Sequence, residues 1–424
     1  MSKRLIIYGI KELVTVRGEH RLRQGKEMDY VEILKNGYVV IQDGIFVDVG
    51  VHDGYIPLIH PDTEVVQVSN VIMTPGFIDS HTHLVHAGSR EHEHALKLQG
   101  VSYLDILKQG GGILNTVTAT RKASFDELFQ KAKKSLDVML TYGVTTIEAK
   151  SGYGLDLVTE KKQLEVAKKL NIDHPMDIVS TFMGAHAIPS EYKENKEGYL
   201  VLLKKMLQEV KNADLAHYCD VFCEEGVFSI EDSRQLLVEA KHLGYKLKIH
   251  ADEIVPLGGA SLAAELGCVS ADHLMASTEE DMDRLAKHHI VANLLPSTSF
   301  YLGKEFAKAR TMIEHHCGLA ISTDYNPGSS PSENIQLAMQ IASLKMKLTP
   351  KEVLTAVTIN AACGIEQQHR IGSIEVGKQA DFILFNVPNL EYLFYHFGIN
   401  HVKDVYKNGI CVVKDQHLIY KETN

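Results

Sequence analysis

Between residues 71 and 374, short apolar runs alternate with helical stretches, and no other feature of the chain limits its fold so strongly. The runs are MTPGFIDSHTH, GVTTIEAKSG, MDIVSTFMGAH, CDVFCEE, YKLKIHADE, GCVSADHL, IVANLLP and GLAISTDYN, eight in all. Between them lie stretches such as TEKKQLEVAKKL, SIEDSRQLLVEAKHL and TEEDMDRLAKH, with helical periodicity and N-terminal caps. Strand and helix alternating eight times predict an α/β fold, a (β/α)8 TIM-like barrel. The two ends of the chain read differently. Each carries an apolar strand, a polar-Gly turn and another strand, IQDGIFVDV near the start and YKNGICVVK near the end. Neither end alone has enough strands for a stable sheet. We therefore expect residues 1–70 and 375–424 to build one composite small β-sandwich domain, and residues 71–374 to form the barrel.

A chain of 424 residues suits one large domain and a smaller one, and 45% hydrophobic with 23% charged residues is ordinary globular composition. The net charge of -10 argues against a nucleic-acid or anionic-membrane partner. No apolar run approaches the roughly 20 residues that a membrane span needs. The start, MSKRLIIYGIKEL, has a short basic head but no long apolar region or small-residue cleavage site, so no signal peptide is expected. Six thinly spread cysteines do not make a disulfide scaffold and suit a reducing cytoplasm. Cys219 and Cys223 in CDVFC could form a metal knuckle; buried thiols are the ordinary alternative. The GGG at 110–112 invites a phosphate-loop reading, but it has no lysine and no strand-loop-helix context. A flexible or closely packed loop is expected there.

In such barrels the chemistry gathers at the C-terminal ends of the strands. His81 and His83 lie two apart at the end of the first run and would share one face. The third, fifth, sixth and eighth runs end in His186, His250, His273 and Asp324. Each alone has a bland reading, as a hydrogen-bonded core histidine or a helix cap. Their joint placement at one mouth points to a metal site. Three imidazoles and a carboxylate suit zinc or ferrous iron, with zinc favoured, and no thiol is placed to help. A metal so held, with a position left for water, brings that water's pKa to about 7. Glu253 in HADE, three residues after His250, could then move protons; otherwise it is a loop acid or a cap for VPLGGASLAAE. His273 could hydrogen-bond the hydroxide or a developing oxyanion. His92, His94, His288, His289, His315 and His316 look like solvated helical faces or loop ends, and His86 is left open between site and wall.

Longer motifs then carry a resemblance. TPGFIDSHTH, a distant HADE, a later ADH and a TD at the last strand look like the amidohydrolase superfamily. HLVHAGSREHE, KLQGVSYLDILKQGGGILNTV, AKSGYGL, TFMGAHAIP, KIHADEIVPLGGA, SADHL, LLPSTSFYLGK and STDYNPGSSPSENIQL resemble its imidazolonepropionase family across nearly the whole chain. Local departures are Ser80, where proline is expected, and His86, where an aromatic is commoner. The resemblance implies a hydrolase that opens the ring of 4-imidazolone-5-propanoate to N-formimidoyl-L-glutamate, in histidine degradation. It implies one metal per subunit on His81, His83, His250 and Asp324, with Glu253 and His273 working on water and carbonyl. It implies substrate contacts from Arg90, Tyr153, His186, Glu253, Asn326, Gly328 and Ser329, and a cytoplasmic homodimer. An arginine fork suits the propionate tail, though without the resemblance Arg90 would be read as a surface ion pair with Glu91 or Glu93. Tyr153, between two glycines, sits in a loop that could close over a ligand.

Three rivals stand beside this. A deaminase acting on a heterocycle's exocyclic amine would use the same groups, but the arginine and tyrosine loops argue against it. A two-metal cyclic amidase would need a carboxylated lysine, for which Lys150 lies on the wrong strand. A barrel scaffold with a structural metal leaves Glu253 without a purpose.

Overall fold

The structure is a computed structural model that describes residues 3–100 and 111–420. Five strands come first: β1 (Arg4–Val14), β2 (Ile33–Gln42), β3 (Ile45–Val51), β4 (Thr63–Gln67) and β5 (Ile72–Pro75). Eight follow: β6 (Phe77–Asp79), β7 (Val144–Lys150), β8 (Asp177–Ala185), β9 (Tyr218–Cys223), β10 (Lys246–Ala251), β11 (Ser270–His273), β12 (Val291–Leu294) and β13 (Gly318–Ile321). The last four are β14 (Phe382–Phe385), β15 (Val402–Lys407), β16 (Ile410–Lys414) and β17 (His417–Leu418).

The strands of both termini join in one nine-stranded, mostly antiparallel sheet, ordered β17-β16-β15-β14-β5-β1-β2-β3 with β4 beside β1. It folds as a small β-sandwich, the architecture expected from the two hairpin patterns. The turns are built as those patterns require. Asp43-Gly44 and Asn408-Gly409 all take positive φ, the two-residue geometry whose twist matches the flanking strands. β14 links this sheet to the rest of the molecule. Its Phe382 and Leu384 pack with Ile7, Val39, Phe46 and Met73, while Ile383 and Phe385 on the other face join the barrel's core.

β6 to β13 form the eight-stranded parallel sheet in chain order. Its seam between β13 and β6 is drawn together beyond the strand ends. Asp324 N–H donates to His81 O (3.1 Å), His83 N–H to Tyr325 O (2.9 Å) and Thr323 N–H to the Asp79 carboxylate (3.0 Å). The helical stretches carry real caps. Asp156 caps Leu157–Asp173, and reciprocal pairs Ser229/Asp232 and Thr278/Asp281 cap Ile230–His242 and Glu279–Lys287.

One run is divided. In MTPGFIDSHTH, β5 pairs with β1 and β14, and only from Phe77 does the chain join the barrel. Both pieces are buried, so the apolar run hides the handover at Gly76. All six cysteines are free thiols; Cys219 and Cys223 are buried in β9, and among the described residues no candidate metal group includes them. Gly110 lies outside the described residues. Gly112 precedes the helix Ile113–Lys122, and its N–H is held by the Glu93 carboxylate (2.9 Å). No described helix is long and apolar enough to cross a membrane.

Candidate active site

Four imidazoles and a carboxylate converge at the mouth of the barrel. His250 is the penultimate residue of β10 and His273 the last of β11; His81, His83 and Asp324 lie just past β6 and β13. Ring centroids are 4.6 Å apart for His81 and His250, 5.4 Å for His81 and His83, and 5.6 Å for His83 and His250. Asp324 Oδ1 is 3.4 Å from His81 Nε2 and 3.6 Å from His83 Nε2. Donor atoms of His81, His83 and His250 all fall within 4.8 Å of one another, as do those of His81, His273 and Asp324.

The bonding of these groups fits a cation. His81 Nε2 and His250 Nε2 are buried without a hydrogen-bond partner, which is costly unless something else satisfies them. Burial, followed by the neighbouring Lys150 and His186 respectively, holds His81 and His83 well below the usual imidazole range. Both rings are therefore neutral donors at pH 7, the form a metal takes. Burial also pushes Asp324 up to about 6, a carboxylate short of a counter-charge. Its other oxygen accepts from Thr298 Oγ1 at 2.5 Å.

Beneath these rings lies a charged layer that the motif reading missed. Glu148, Lys150, Asp220, Lys248 and Asp272 are all fully buried. Lys150 Nζ is 2.7 Å from Asp220, 3.0 Å from Glu148 and 3.5 Å from Asp272. Lys248 Nζ donates to Glu148 at 2.7 Å. Asp272 Oδ2 holds His81 Nδ1 at 2.6 Å. A signal was available: Glu148 and Lys150, like Lys248 and His250, are two apart inside strand runs and so share the inner face.

Glu253 is half-buried on the loop after β10, its Oε2 3.6 Å from His273 Nε2. Buried carboxylates pin this loop at both ends. Asp252 accepts from the N–H groups of Gly258, Gly259 and Ala260 (2.8, 3.1 and 3.0 Å), and Glu224 from that of Ile254 (2.8 Å). Burial, with Asp324 next, pushes Glu253 up to about 7. His273 holds a left-handed backbone, φ +77, followed by Leu274 at +62. Such residues cluster at functional sites.

The remaining expected residues surround this centre. Tyr153 is buried, its ring 5.8 Å from that of His83 and 5.2 Å from that of His186. His186 stacks on His83 at 4.7 Å and keeps Nδ1 3.1 Å from Gly152 O. The loop carrying Tyr153 is held from behind: the buried Glu160 carboxylate accepts from Gly152, Gly154 and Leu155 N–H. Arg90 does pair with Glu93 (2.7 Å), but both side chains are largely buried, so this is no surface ion pair. A Cβ on Gly328 would collide with the Arg90 guanidinium, which places the 326–329 loop directly against Arg90. In that loop, Asn326 Oδ1 accepts from Gly328 and Ser329 N–H, both at 2.8 Å, so the asparagine braces its own turn. His86 forms wall: its Nδ1 is 3.0 Å from His83 O and its ring lies 5.5 Å from that of Tyr325. His92, His288, His289 and His316 are exposed; His94 stacks on Tyr301 and His315 pairs with Asp283, all outside this cluster.

Residues 72–412 match the amidohydrolase family. An imidazolonepropionase of Fusobacterium nucleatum subsp. nucleatum is 55% identical over 98% of this chain and 100% of that protein. One of Alkaliphilus oremlandii is 54% identical over 97% of this chain and 99% of its own. Among solved structures, a zinc-bound adenosine deaminase from Xanthomonas campestris aligns with a TM-score of 0.73 at 19% identity, over 99% of this chain and 95% of that one. Guanine deaminase from Bradyrhizobium japonicum aligns at 0.68 and 16% identity, over 97% and 100%. At such identities these two speak for the fold alone.

Proposed function

The chain belongs to the amidohydrolase family and, within it, to the imidazolonepropionases, and we propose from that premise how its own residues carry the reaction. The enzyme hydrolyses the cyclic amide of 4-imidazolone-5-propanoate to N-formimidoyl-L-glutamate, a step in histidine degradation. The observation that carries this is 55% identity along almost the whole chain. In the reaction the oxygen of water bonds to the ring carbonyl carbon and the amide C–N bond breaks. The leaving nitrogen takes a proton and becomes the formimidoyl nitrogen.

His81, His83, His250 and Asp324 would hold one divalent metal per chain, zinc first and iron as the alternative; the unpartnered Nε2 atoms of His81 and His250 support this set. Such an ion supplies Lewis acidity and makes water a nucleophile near neutral pH. Glu253 takes the proton that water gives up and passes it to the departing nitrogen; a carboxylate pushed up to about 7 suits both tasks. His273, its Nε2 3.6 Å from Glu253, hydrogen-bonds the carbonyl oxygen as charge gathers there. Arg90 receives the propionate, aimed by Glu93 and confined by Gly328 and Ser329 on the turn that Asn326 braces. Tyr153 and His186 close the side next to His83.

Residues 1–70 with 375–424 act as a composite small domain, extended by β5 (Ile72–Pro75), and the catalytic barrel runs from Phe77 to residue 374. The enzyme works in the cytoplasm as a homodimer without nucleic-acid partners. The net charge, the free thiols and the exposed apolar side chains of Tyr395, Phe397 and Ile399 support this reading.

The test uses freshly prepared 4-imidazolone-5-propanoate. Purified protein should consume the ring chromophore and release N-formimidoyl-L-glutamate, lose this activity to a chelator and regain it with zinc or iron. Fully metallated protein that leaves the substrate intact would overturn the assignment.

A further inference from the structure

We propose that Lys150 is a positioning residue for the metal: its ammonium holds Asp220 and Asp272 so that each fixes one metal-facing histidine with Nδ1 protonated and Nε2 free. This rests on the reading of His81 and His250 as ligands.

The geometry carries the proposal. Lys150 Nζ lies 2.7 Å from Asp220 Oδ2 and 3.5 Å from Asp272 Oδ2. The same two oxygens face the imidazoles: Asp272 Oδ2 is 2.6 Å from His81 Nδ1 and Asp220 Oδ2 is 3.1 Å from His250 Nδ1. One ammonium thus reaches two rings on two strands through two carboxylate oxygens. An ionised carboxylate only accepts hydrogen bonds, so a ring nitrogen facing it carries the proton and the opposite nitrogen keeps its lone pair. Those opposite nitrogens, His81 Nε2 and His250 Nε2, are buried without a hydrogen-bond partner. His250 Nδ1 lies in ion-pair range of Asp220 but off hydrogen-bond geometry, so the link is most direct at His81. Partners of this kind, one bond removed from the ligands, set ring orientation and basicity.

Charge in this layer points the same way. Glu148, Asp220 and Asp272 make three carboxylates against the two ammonium groups of Lys150 and Lys248, which leaves one negative charge beneath the mouth. A carboxylated Lys150 would add a fourth anion among the three, whereas an ammonium satisfies them. The same residue that could have suggested a two-metal bridge therefore occupies a cation's place itself.

The experiment compares zinc affinity by chelator competition in the wild type, Asp272→Asn, Lys150→Gln and the double variant. Each single change should weaken zinc binding about 10- to 100-fold. The double variant should lose less than the product of the two single losses, because part of what Lys150 does runs through Asp272 and the rest through Asp220. Losses that multiply would overturn the proposal, since Lys150 would then act independently. Lys150→Gln removes a buried charge and could fail to fold, so a second measurement needs no variant. Metal-free wild-type protein labelled with 15N-histidine should show His81 and His250 protonated at Nδ1. Rings protonated at Nε2 with Nδ1 bare would overturn the proposal. Wild type that takes up no metal would remove the ligand reading itself; wild type and folded variants with equal affinity would remove only the role of Lys150.

Discussion

β7 and β14 are both buried along their whole length, yet they are built oppositely. β14 reads FILF and fills an apolar interface on each face, with Phe382 stacked on Tyr406 at 4.5 Å. β7 reads VTTIEAK and sinks Glu148 and Lys150 into the barrel. Apolar area suffices where a strand only has to hold two layers together. In the barrel centre, desolvated charges are tolerated because each meets an opposite charge at short range, and breaking such a set is costly. One layer higher, His81, His83, His250 and His273 each leave a ring nitrogen unpartnered where the substrate would arrive, while the charged layer leaves only one oxygen each of Asp220 and Asp272 without a hydrogen bond. Paired charge below and unpartnered ring nitrogens above distinguish support from chemistry within one barrel.

Substitutions can break this contrast on either side. Glu253→Gln should have the largest effect on turnover, lowering kcat by about 10²- to 10⁴-fold while metal content and melting temperature stay at wild-type values; steady-state kinetics beside metal analysis would check it. Near-wild-type activity would remove Glu253 as the proton carrier. On the other side, Phe382→Ala should cost about 3–5 kcal/mol of stability by denaturant unfolding and leave the kinetics of the folded fraction unchanged. Arg90→Met should raise KM well above its effect on kcat, the sign of a lost ground-state contact to the carboxylate tail. An unchanged KM would place the propionate elsewhere. The smallest effect is expected for Ser229→Ala, which removes an exposed capping pair with Asp232 that is not among the site residues: about 1 kcal/mol in thermal or chemical unfolding and no change in turnover.

The barrel was legible because its strand runs are short and apolar and the helices between them carry side-chain caps. The small sandwich was legible from two turn signals alone, Asp43-Gly44 and Asn408-Gly409, since few residues other than glycine, asparagine and aspartate accept those dihedrals. The handover at Gly76 was not, because burial by two different sheets leaves the same apolar signature. At the mouth, spacing brought His81 and His83 to one face. The charged layer escaped because Glu148, Asp220 and Lys248 sit within strand runs, where a charge is read as local noise until its partners on neighbouring strands are known, and Lys150 was weighed only as a bridge between two metals. The ion pair of Arg90 with Glu93 was foreseen as one of two options, but its burial depends on contacts with the 326–329 loop, remote in sequence. Asn326 was expected as a substrate contact; that its Oδ1 also closes its own turn was not legible, because that turn depends on backbone geometry that composition does not specify.

The central claim is that four side chains hold a single metal. The most direct measurement is metal content per chain, after equilibration with zinc and desalting, for His81→Asn, His83→Asn, His250→Asn and Asp324→Asn, beside His289→Asn and His315→Asn as surface controls. The account predicts about one metal per chain in the wild type and both controls, and loss in each of the four. Full occupancy in any of the four, or two metals in the wild type, would contradict it.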